Sequence, residues 1–248
     1  SLHPATHGLH PGTDKSLEPA RITIAEQMQA AQAATAAFVD GGWLNARYGF
    51  AQGFDLYDDT GGRFATILPK ALAWITQHQD RRFFLFVHTY DVHSEWTRLP
   101  YDCPGDAELR FVEGDSGFDG CVDGRCASEL LATINTGIRK GEIAGSGPLA
   151  SGDIRKISDL YDGCIRYADD RLAEFFAAMK QLGLWEKTIV VVTSDHGEEF
   201  FEHGLFLHDQ GGYEELSHIP LIVKLPRSTR AGQRVHGLAA MVDLAPTL

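Results

Sequence analysis

Three short, almost continuously apolar runs constrain the fold of this chain of 248 residues more than any other feature. They cover residues 82–88, 188–193 and 220–225. Continuous apolar runs of this length are typical of strands buried on both faces of a parallel sheet, because strands with one solvated face alternate instead. The runs therefore predict buried strands.

Helical patterns lie between these runs. Composition and apolar spacing predict helices over the segments 22–38, 68–78, 128–139 and 152–182. Thr23 is suited to cap the first helix, and Gly183 to end the last one as a C-cap glycine. Helices that alternate with apolar strands predict an α/β fold with a mostly parallel sheet covered by helices on both faces.

Composition limits the classes of partner. The chain has 34 acidic and 22 basic residues, a formal charge of −12, so it repels nucleic acid and anionic lipid surfaces. Its apolar runs are far shorter than the roughly 20 residues of a membrane helix, which predicts no membrane span in this segment. Residues 100–150, rich in Gly, Pro, Asp and Cys, are interpreted as a variable surface excursion from a single domain.

The four cysteines, Cys103, Cys121, Cys126 and Cys164, have no CxxC spacing, which argues against a structural zinc site. Their even number permits disulfides without requiring them. A bridge between Cys121 and Cys126 is one pairing that the spacing allows.

Polar residues follow two of the predicted strands, and ligands of α/β sheets bind beyond the carboxyl ends of strands. Asp195 and His196 come directly after the second strand, and Gly197 allows a sharp turn there. A carboxylate beside an imidazole predicts a divalent metal site. The alternative is that Asp195 caps a following helix while His196 fills a polar gap.

Four more histidines lie near these strand ends. His93, beyond the first strand, is placed to act as a general acid, whereas His88 at the strand's end is interpreted as a packed or orienting residue. His203 and His208 follow the Asp-His pair closely enough for either to approach a metal or an anionic substrate. Three acids between them are interpreted as a solvated helix start rather than as ligands: Glu198, Glu199 and Glu202.

These residues together resemble the sulfatase group of the alkaline phosphatase superfamily. The strongest matches are Thr193-Ser-Asp-His-Gly-Glu-Glu-Phe-Phe-Glu-His-Gly204, Tyr213-Glu-Glu and His218-Ile-Pro-Leu-Ile-Val223. Weaker matches are residues 3–8, 49–55, 84–93, 160–170 and 242–248, so the resemblance leaves out only residues 100–150. It implies an alkaline-phosphatase-like fold.

The resemblance also implies roles for four residues. Asp195 and His196 fall on late metal ligands, and His93 falls on the histidine that contacts the sulfate and assists the leaving group. His208 falls where many members have a lysine that reaches the sulfate oxygens. The family implies one divalent metal ion, calcium more often than others, but many members have Asn in place of His196, and an imidazole favours Mn or Zn.

The family's nucleophile is normally a formylglycine made from the first residue of a Cys/Ser-x-Pro-x-Arg motif. None of the four cysteines begins such a motif, and no serine does. We therefore expect the formylglycine upstream of Ser1. On this expectation, residues 1–248 are a single catalytic domain truncated at both ends. On that expectation the chain alone has no turnover.

The resemblance predicts a metal-dependent sulfuric ester hydrolase, arylsulfatase-like, acting on a small-molecule or glycan sulfate ester. A phosphatase, phosphonate monoester hydrolase or phosphoalcohol transferase of the same superfamily is the alternative among enzymes. A non-catalytic, metal-stabilised binding module is the alternative from another class. Family members are often exported, so a periplasmic or secreted location is expected, while the substrate alcohol and the oligomeric state stay open.

Overall fold

The computed structural model describes residues 16–94, 99–113, 126–208 and 211–248. The matched segment 3–8 and the proposed pairing of Cys121 with Cys126 lie outside the described residues and side chains. Two compact units are formed, the first from Ser1–Thr89, Glu174–Thr188 and Leu225–Leu248, the second from Tyr90–Ala173 and Ile189–Lys224.

The described helices are α1 (Ile24–Ala30), α2 (Arg63–Gln77), α3 (Cys126–Arg139), α4 (Ser151–Gln181), α5 (Glu214–Ser217) and α6 (Leu244–Thr247). The described strands are β1 (Ala34–Phe38), β2 (Leu56–Asp58), β3 (Phe83–Val87), β4 (Val190–Thr193), β5 (Glu199–Phe200), β6 (Phe206–Leu207) and β7 (Leu221–Lys224). Short 3-10 turns cover Gly42–Leu44, Ala46–Tyr48, Ala107–Phe111, Trp185–Lys187, Pro226–Ser228 and Met241–Asp243. None of the described helices has the length and apolar character needed to cross a membrane.

The first unit contains a parallel sheet in the order β2-β1-β3, with Ala36 paired to Leu56 on one side and to Leu85 on the other. All five residues of β1 are buried. Because side chains alternate across a strand, complete burial means that both faces of β1 are covered. Helices α1 and α2 both pack against this strand. The α/β class with a parallel sheet is confirmed.

The predicted helix over 22–38 is wrong in its second half, where the chain forms β1 instead. The strand reads Ala-Thr-Ala-Ala-Phe, a composition that favours a helix when judged locally. Burial in the centre of the sheet overrides that preference, since small alanine side chains allow helices to approach the strand closely. Thr23 caps α1 as predicted, accepting a hydrogen bond from the Glu26 backbone N–H at 3.1 Å.

Asp55, in the matched segment 49–55, has a structural part in this unit. Its carboxylate accepts hydrogen bonds from the Thr35 backbone N–H at 2.9 Å and from the Gln29 side chain at 2.7 Å. The backbone bond from Thr35 is the largest cause that lowers the pKa of Asp55 below its ordinary value. The aspartate therefore fixes the start of β2 against β1.

The second unit has its own buried cluster, made by α3, α4, β6 and the segment 99–103. Its fully buried side chains include Tyr101, Leu131, Ile157, Leu160 and Phe206. Two of these belong to residues 100–150, so the interpretation of that stretch as a surface excursion does not hold for them. The predicted helix over 152–182 is confirmed as α4, and Gly183 follows it in the left-handed conformation at φ 68°.

Strands β4 and β7 pair in the second unit, and they are antiparallel, with Val190 opposite Lys224 and Thr193 opposite Leu221. The last apolar run therefore departs from the predicted parallel arrangement. Strands β5 and β6 form a short antiparallel pair within the same unit, Glu199 lying opposite Leu207. All of the candidate site lies in this unit.

Candidate metal and anion site

Three histidines of the second unit lie against one another and are called here the histidine cluster: His93, His196 and His208. The His196 and His208 rings stack with centroids 4.1 Å apart and planes 23° from parallel. The His93 ring stands edge-on, 4.8 Å from His208 and 6.0 Å from His196. The structure thus brings together three residues that the sequence predicted for one site.

His93 is held by a turn. Its backbone N–H donates to the Tyr90 carbonyl at 2.9 Å, and the Tyr90 ring packs edge-on against the imidazole. The ring nitrogen Nδ1 donates to the Ser94 carbonyl at 2.7 Å. Because a carbonyl can only accept, Nδ1 carries the proton and Nε2 keeps its lone pair.

His196 follows β4 at a point where two segments touch. Its Nδ1 donates to the Gly197 carbonyl at 2.8 Å, which again leaves the lone pair on Nε2. The Gly197 N–H donates to the Leu216 carbonyl at 2.9 Å. A Cβ on Gly197 would lie 1.9 Å from the carbonyl oxygen of Glu215, so only glycine fits this contact.

His208 comes directly after β6 and is anchored by a buried acid. Its Nδ1 lies 3.1 Å and 3.4 Å from the two carboxylate oxygens of Glu198. The Glu198 side chain is only 3% exposed, against 19% for His208. A carboxylate on Nδ1 fixes the ring orientation and makes the outer nitrogen Nε2 more basic, which is the usual support of a metal-bound or anion-binding histidine.

Asp195 has a different setting from the three rings. Its side chain is 72% exposed, and its Oδ1 lies 3.8 Å from Nε2 of His196. The same oxygen accepts the His196 backbone N–H at 3.1 Å. The residues that follow enter β5 rather than a helix, so the alternative role of Asp195 as a helix cap does not apply.

The geometry suits a cation. One ring nitrogen from each of His93, His196 and His208 lies within 4.8 Å of the other two. Since each Nδ1 is engaged by an oxygen, Nε2 is the nitrogen that would bind a ligand. The rings are half-buried and lie beside the exposed carboxylate of Asp195, so an ion can reach them.

Burial and neighbouring charge set the protonation of the site. Burial lowers the pKa of His93 below its ordinary 6.5, and the charge of His208 lowers it further. Around the buried Glu198, burial raises the pKa of Tyr101 well above 10.0 and raises that of Tyr161 too, with the Glu198 charge acting in the same direction. Neutral phenols therefore surround the acid that anchors His208.

Two of the predicted neighbours lie elsewhere. His203, predicted to approach the metal or the anion, instead bonds Glu215 through Nε2 at 2.9 Å and stacks on Tyr213 at 3.7 Å. His88 belongs to the first unit, where its backbone N–H donates to the Phe38 carbonyl at 3.0 Å and extends the β1–β3 pairing; its role as a packed or orienting residue stays a prediction.

Glu198 is the residue of the candidate site that the sequence interpretation missed, since it contacts His208. Three acids in five residues indicate a solvated surface, but Glu198 is 7% exposed and Glu199 fully buried. Only Glu202 matches the prediction of a solvated acid. The available signal was that Glu198 and His208 flank the two paired strands β5 and β6. It indicates their contact only once the pairing of β5 with β6 is known.

The fold and the cluster define an α/β protein with a site of imidazoles and carboxylates suited to a cation and an anion. The profile of the family described as Sulfatase matches residues 14–248, and the chain belongs to this family. The predicted resemblance to sulfatases of the alkaline phosphatase superfamily is therefore confirmed.

Two relatives illustrate the similarity in sequence. The multifunctional alkaline phosphatase superfamily protein PehA of Trinickia caryophylli is 38% identical over 191 residues, 72% of this chain and 36% of PehA. Arylsulfatase K of Bos taurus is 37% identical over 103 residues, 42% of this chain and 19% of the relative. The chain thus spans little more than a third of the length of PehA and less of arylsulfatase K.

A solved structure illustrates the similarity in fold. The phosphonate monoester hydrolase of Agrobacterium radiobacter superposes with a TM-score of 0.64 at 14% identity, over 90% of this chain and 56% of the hydrolase. The expected alkaline-phosphatase-like fold is confirmed.

Proposed function

We propose that this chain supplies part of the active site of a metal-dependent sulfuric ester hydrolase. Asp195 and His196 bind a divalent metal ion, and His93 and His208 contact the sulfate group. The single observation that carries the proposal is the convergence of His93 and His208 on His196 within one unit. Membership of the Sulfatase family and the similarity to arylsulfatase K support the sulfate ester as substrate.

The residues present fit a divalent metal. The carboxylate of Asp195 is exposed, and its Oδ1 lies 3.8 Å from His196 Nε2, so one ion can contact both after a small side-chain movement. The Gly197 carbonyl fixes the His196 ring by its other nitrogen. When bound, such an ion supplies Lewis acidity and lowers the pKa of a coordinated nucleophile. The mixed oxygen and nitrogen donors favour Mn or Zn more than an all-oxygen shell would.

His208 is suited to hold the anionic group of the ester. Its Nδ1 proton is directed at the buried Glu198 carboxylate, which stabilises a positive ring when an anion lies on the other side. With Nε2 protonated, that nitrogen donates a hydrogen bond to a sulfate oxygen. The Glu198 side chain is 3% exposed, so solvent screens its charge only weakly. The carboxylate therefore fixes the orientation of the His208 ring.

His93 is suited to move a proton at the leaving group. Its Nδ1 is held on the Ser94 carbonyl, so only Nε2 can exchange a proton with a substrate. The lowered pKa makes the protonated ring a stronger acid, which favours donation to a departing alkoxide. His208 and His93 thereby divide anion binding and proton transfer between them.

A phosphoester or phosphonate substrate is the second candidate, and one observation favours it. PehA, the relative that matches the larger part of this chain, is a multifunctional alkaline phosphatase superfamily protein. An imidazole at position 196 favours the softer metals that suit this chemistry. Both candidates use the same four residues.

The proposal places the nucleophile outside these residues. No cysteine or serine of the chain heads the formylglycine motif of the family, so we expect the 248 residues alone to release no sulfate. Sulfate release by the chain itself would show that another group performs the attack.

The test compares hydrolysis of an aryl sulfate and the matching aryl phosphate by the longer protein that contains this chain, loaded with Ca²⁺, Mn²⁺ or Zn²⁺. A faster sulfate reaction is expected. His93→Gln and His208→Gln should each lower kcat/KM by about 10²–10⁴-fold, the range of a lost general acid or anion-binding group.

His218→Gln is the matched control, because the His218 side chain is 79% exposed. It should leave both rates unchanged. A faster phosphate reaction would favour the second candidate. Absence of both reactions, with metal bound, would support the non-catalytic binding module and contradict the hydrolase.

A further inference from the structure

The histidine cluster offers a donor set that differs from the Asp195–His196 pair. In the pair, a hard carboxylate oxygen accompanies one imidazole. In the cluster, the potential ligands are three imidazole nitrogens, one each from His93, His196 and His208, all within 4.8 Å of one another. Oxygen donors suit Ca²⁺ and Mg²⁺, whereas imidazole suits Zn²⁺, Co²⁺ and related metals.

Each ring is already held as a metal-bound histidine is held. Such histidines donate the second ring N–H to a carboxylate or a backbone carbonyl, which fixes the tautomer. Here Nδ1 of His93 donates to Ser94 and Nδ1 of His196 to Gly197, both at backbone carbonyls. His208 completes the set by directing Nδ1 at the Glu198 carboxylate. All three lone pairs therefore reside on Nε2.

The spacing of the rings is close to what coordination needs. Nitrogens bound to zinc at about 2.0–2.1 Å in a tetrahedral site lie about 3.3 Å apart. The cluster's nitrogens are within 4.8 Å, so they must approach one another by at most about 1.5 Å, which side-chain rotation can supply. Side-chain exposures of 35% for His196 and 19% for His208 leave an entry path for an ion and for water.

We propose that His93, His196 and His208 form an alternative, three-imidazole site for a borderline transition metal such as Zn²⁺ or Co²⁺, which replaces the Asp195–His196 site because both need Nε2 of His196. Asp195 is not a required ligand of this site. An ion bound there competes with the Asp195–His196 ion for Nε2 of His196, and with an anionic ester for Nε2 of His93 and His208. Micromolar zinc is therefore expected to inhibit the enzyme, a consequence that rests on the proposed hydrolase function, whereas the binding itself does not.

Binding is tested on the purified protein with Co²⁺ alone, read from its visible absorption. Tetrahedral Co²⁺ absorbs far more strongly than hydrated Co²⁺, and addition of Zn²⁺ should remove the signal. His93→Gln and His208→Gln should each weaken Co²⁺ binding at least about tenfold, since even supporting partners of metal ligands are worth about 10–100-fold. Asp195→Asn should change it less than about threefold, and Ca²⁺ in millimolar excess should not displace the ion.

His218→Gln is the control for removal of a solvent-exposed histidine and should bind Co²⁺ as the unmodified protein does. The proposal is overturned if Asp195→Asn abolishes the signal while His93→Gln and His208→Gln leave it intact, or if no tetrahedral signal develops. Inhibition is tested separately, by adding Zn²⁺ to the longer protein turning over an aryl ester. Competitive inhibition is expected. An inactive protein that still binds Co²⁺ through the three histidines would contradict the hydrolase function alone.

Discussion

The side-chain amide of Asn135 makes two hydrogen bonds to the backbone of Phe206, in the way that a neighbouring strand would. Its Nδ2 donates to the Phe206 carbonyl at 2.7 Å, and its Oδ1 accepts the Phe206 N–H at 2.9 Å. Both residues are buried, and Phe206 precedes His208 by two positions. Helix α3 thus fixes the strand that leads into the histidine cluster.

Asn135→Ala should destabilise the second unit by about 2–4 kcal/mol, because it leaves two buried backbone groups without partners. The measurement is the free energy of unfolding in urea. Thr136→Ala, at the exposed neighbour on the same helix, is the control and should stay within about 0.5 kcal/mol. Equal effects of the two substitutions would show that the amide contacts add nothing.

Replacement of Glu198 should weaken the anion binding that we propose for His208. In Glu198→Ala, Nδ1 loses its carboxylate and the ring becomes free to rotate. Loss of such a supporting partner lowers activity by about 10–100-fold. We expect a decrease of this size in the kcat/KM of the longer protein for hydrolysis of an aryl ester. Glu198→Gln should recover part of the loss, because an amide oxygen still accepts the Nδ1 proton.

The exposed neighbour Glu202 gives a matched control, since Glu202→Gln removes an acid from the same loop. It should leave kcat/KM unchanged. An equal loss in Glu202→Gln and Glu198→Ala would mean that the loop's net charge, rather than the contact to His208, is what matters.

Most of the fold could be predicted because its strongest signals are local. Apolar runs gave β3, β4 and β7, and apolar periodicity gave α4 with its terminal Gly183. Strand β1 was missed since its alanines favour a helix, and only burial at the sheet centre makes it a strand. The antiparallel pairing of β4 with β7 depends on long-range contacts that no local pattern contains.

The candidate site also contains residues that the sequence predicts and one that it does not. His93, Asp195, His196 and His208 were found because polar residues directly after buried strands are unusual and match a family pattern. Glu198 was missed because its burial is created by distant side chains, including Tyr101 and Tyr161. Sequence identifies residues that face a ligand more readily than those that support them from behind.

Glu199 should make folding stability depend on pH. Its side chain is fully buried, and within the described part of the chain neither carboxylate oxygen has a hydrogen-bond partner. Burial raises the pKa of Glu199 above its ordinary 4.5. Besides burial, four neighbouring charges affect the pKa of Glu199: those of His203, Glu202, Glu215 and Glu198.

The sign follows from the proton balance. Above the unfolded pKa of 4.5, the unfolded chain releases the proton while the folded chain keeps it, so stability falls as pH rises through the folded pKa. Glu199→Gln is neutral at every pH and should escape this loss. Its stability relative to the unmodified protein, measured in urea, should therefore be higher at pH 7 than at pH 4.

The comparison needs an exposed acid as control. The Glu214 side chain is 82% exposed, and Glu214→Gln should show no difference between the two pH values beyond about 0.5 kcal/mol. If the effect of Glu199→Gln is the same at pH 4 and pH 7, folding does not raise the pKa of the Glu199 carboxyl.

Gly197→Ala should destabilise the second unit and displace His196. The added Cβ would lie 1.9 Å from the Glu215 carbonyl oxygen and 3.0 Å from its carbon, and both are backbone atoms that cannot rotate away. Overpacking of this kind costs about 1–3 kcal/mol. Urea unfolding measures that loss, and weaker Co²⁺ binding reports the displacement of the His196 ring. Gly152→Ala, in α4 with open space around the new Cβ, should instead be neutral or stabilising by about 0.5–1 kcal/mol. Similar free energies of unfolding for the two variants would contradict this prediction. They would mean that the backbone near Gly197 and Glu215 moves apart without loss of stability, and that this contact does not hold His196 in place.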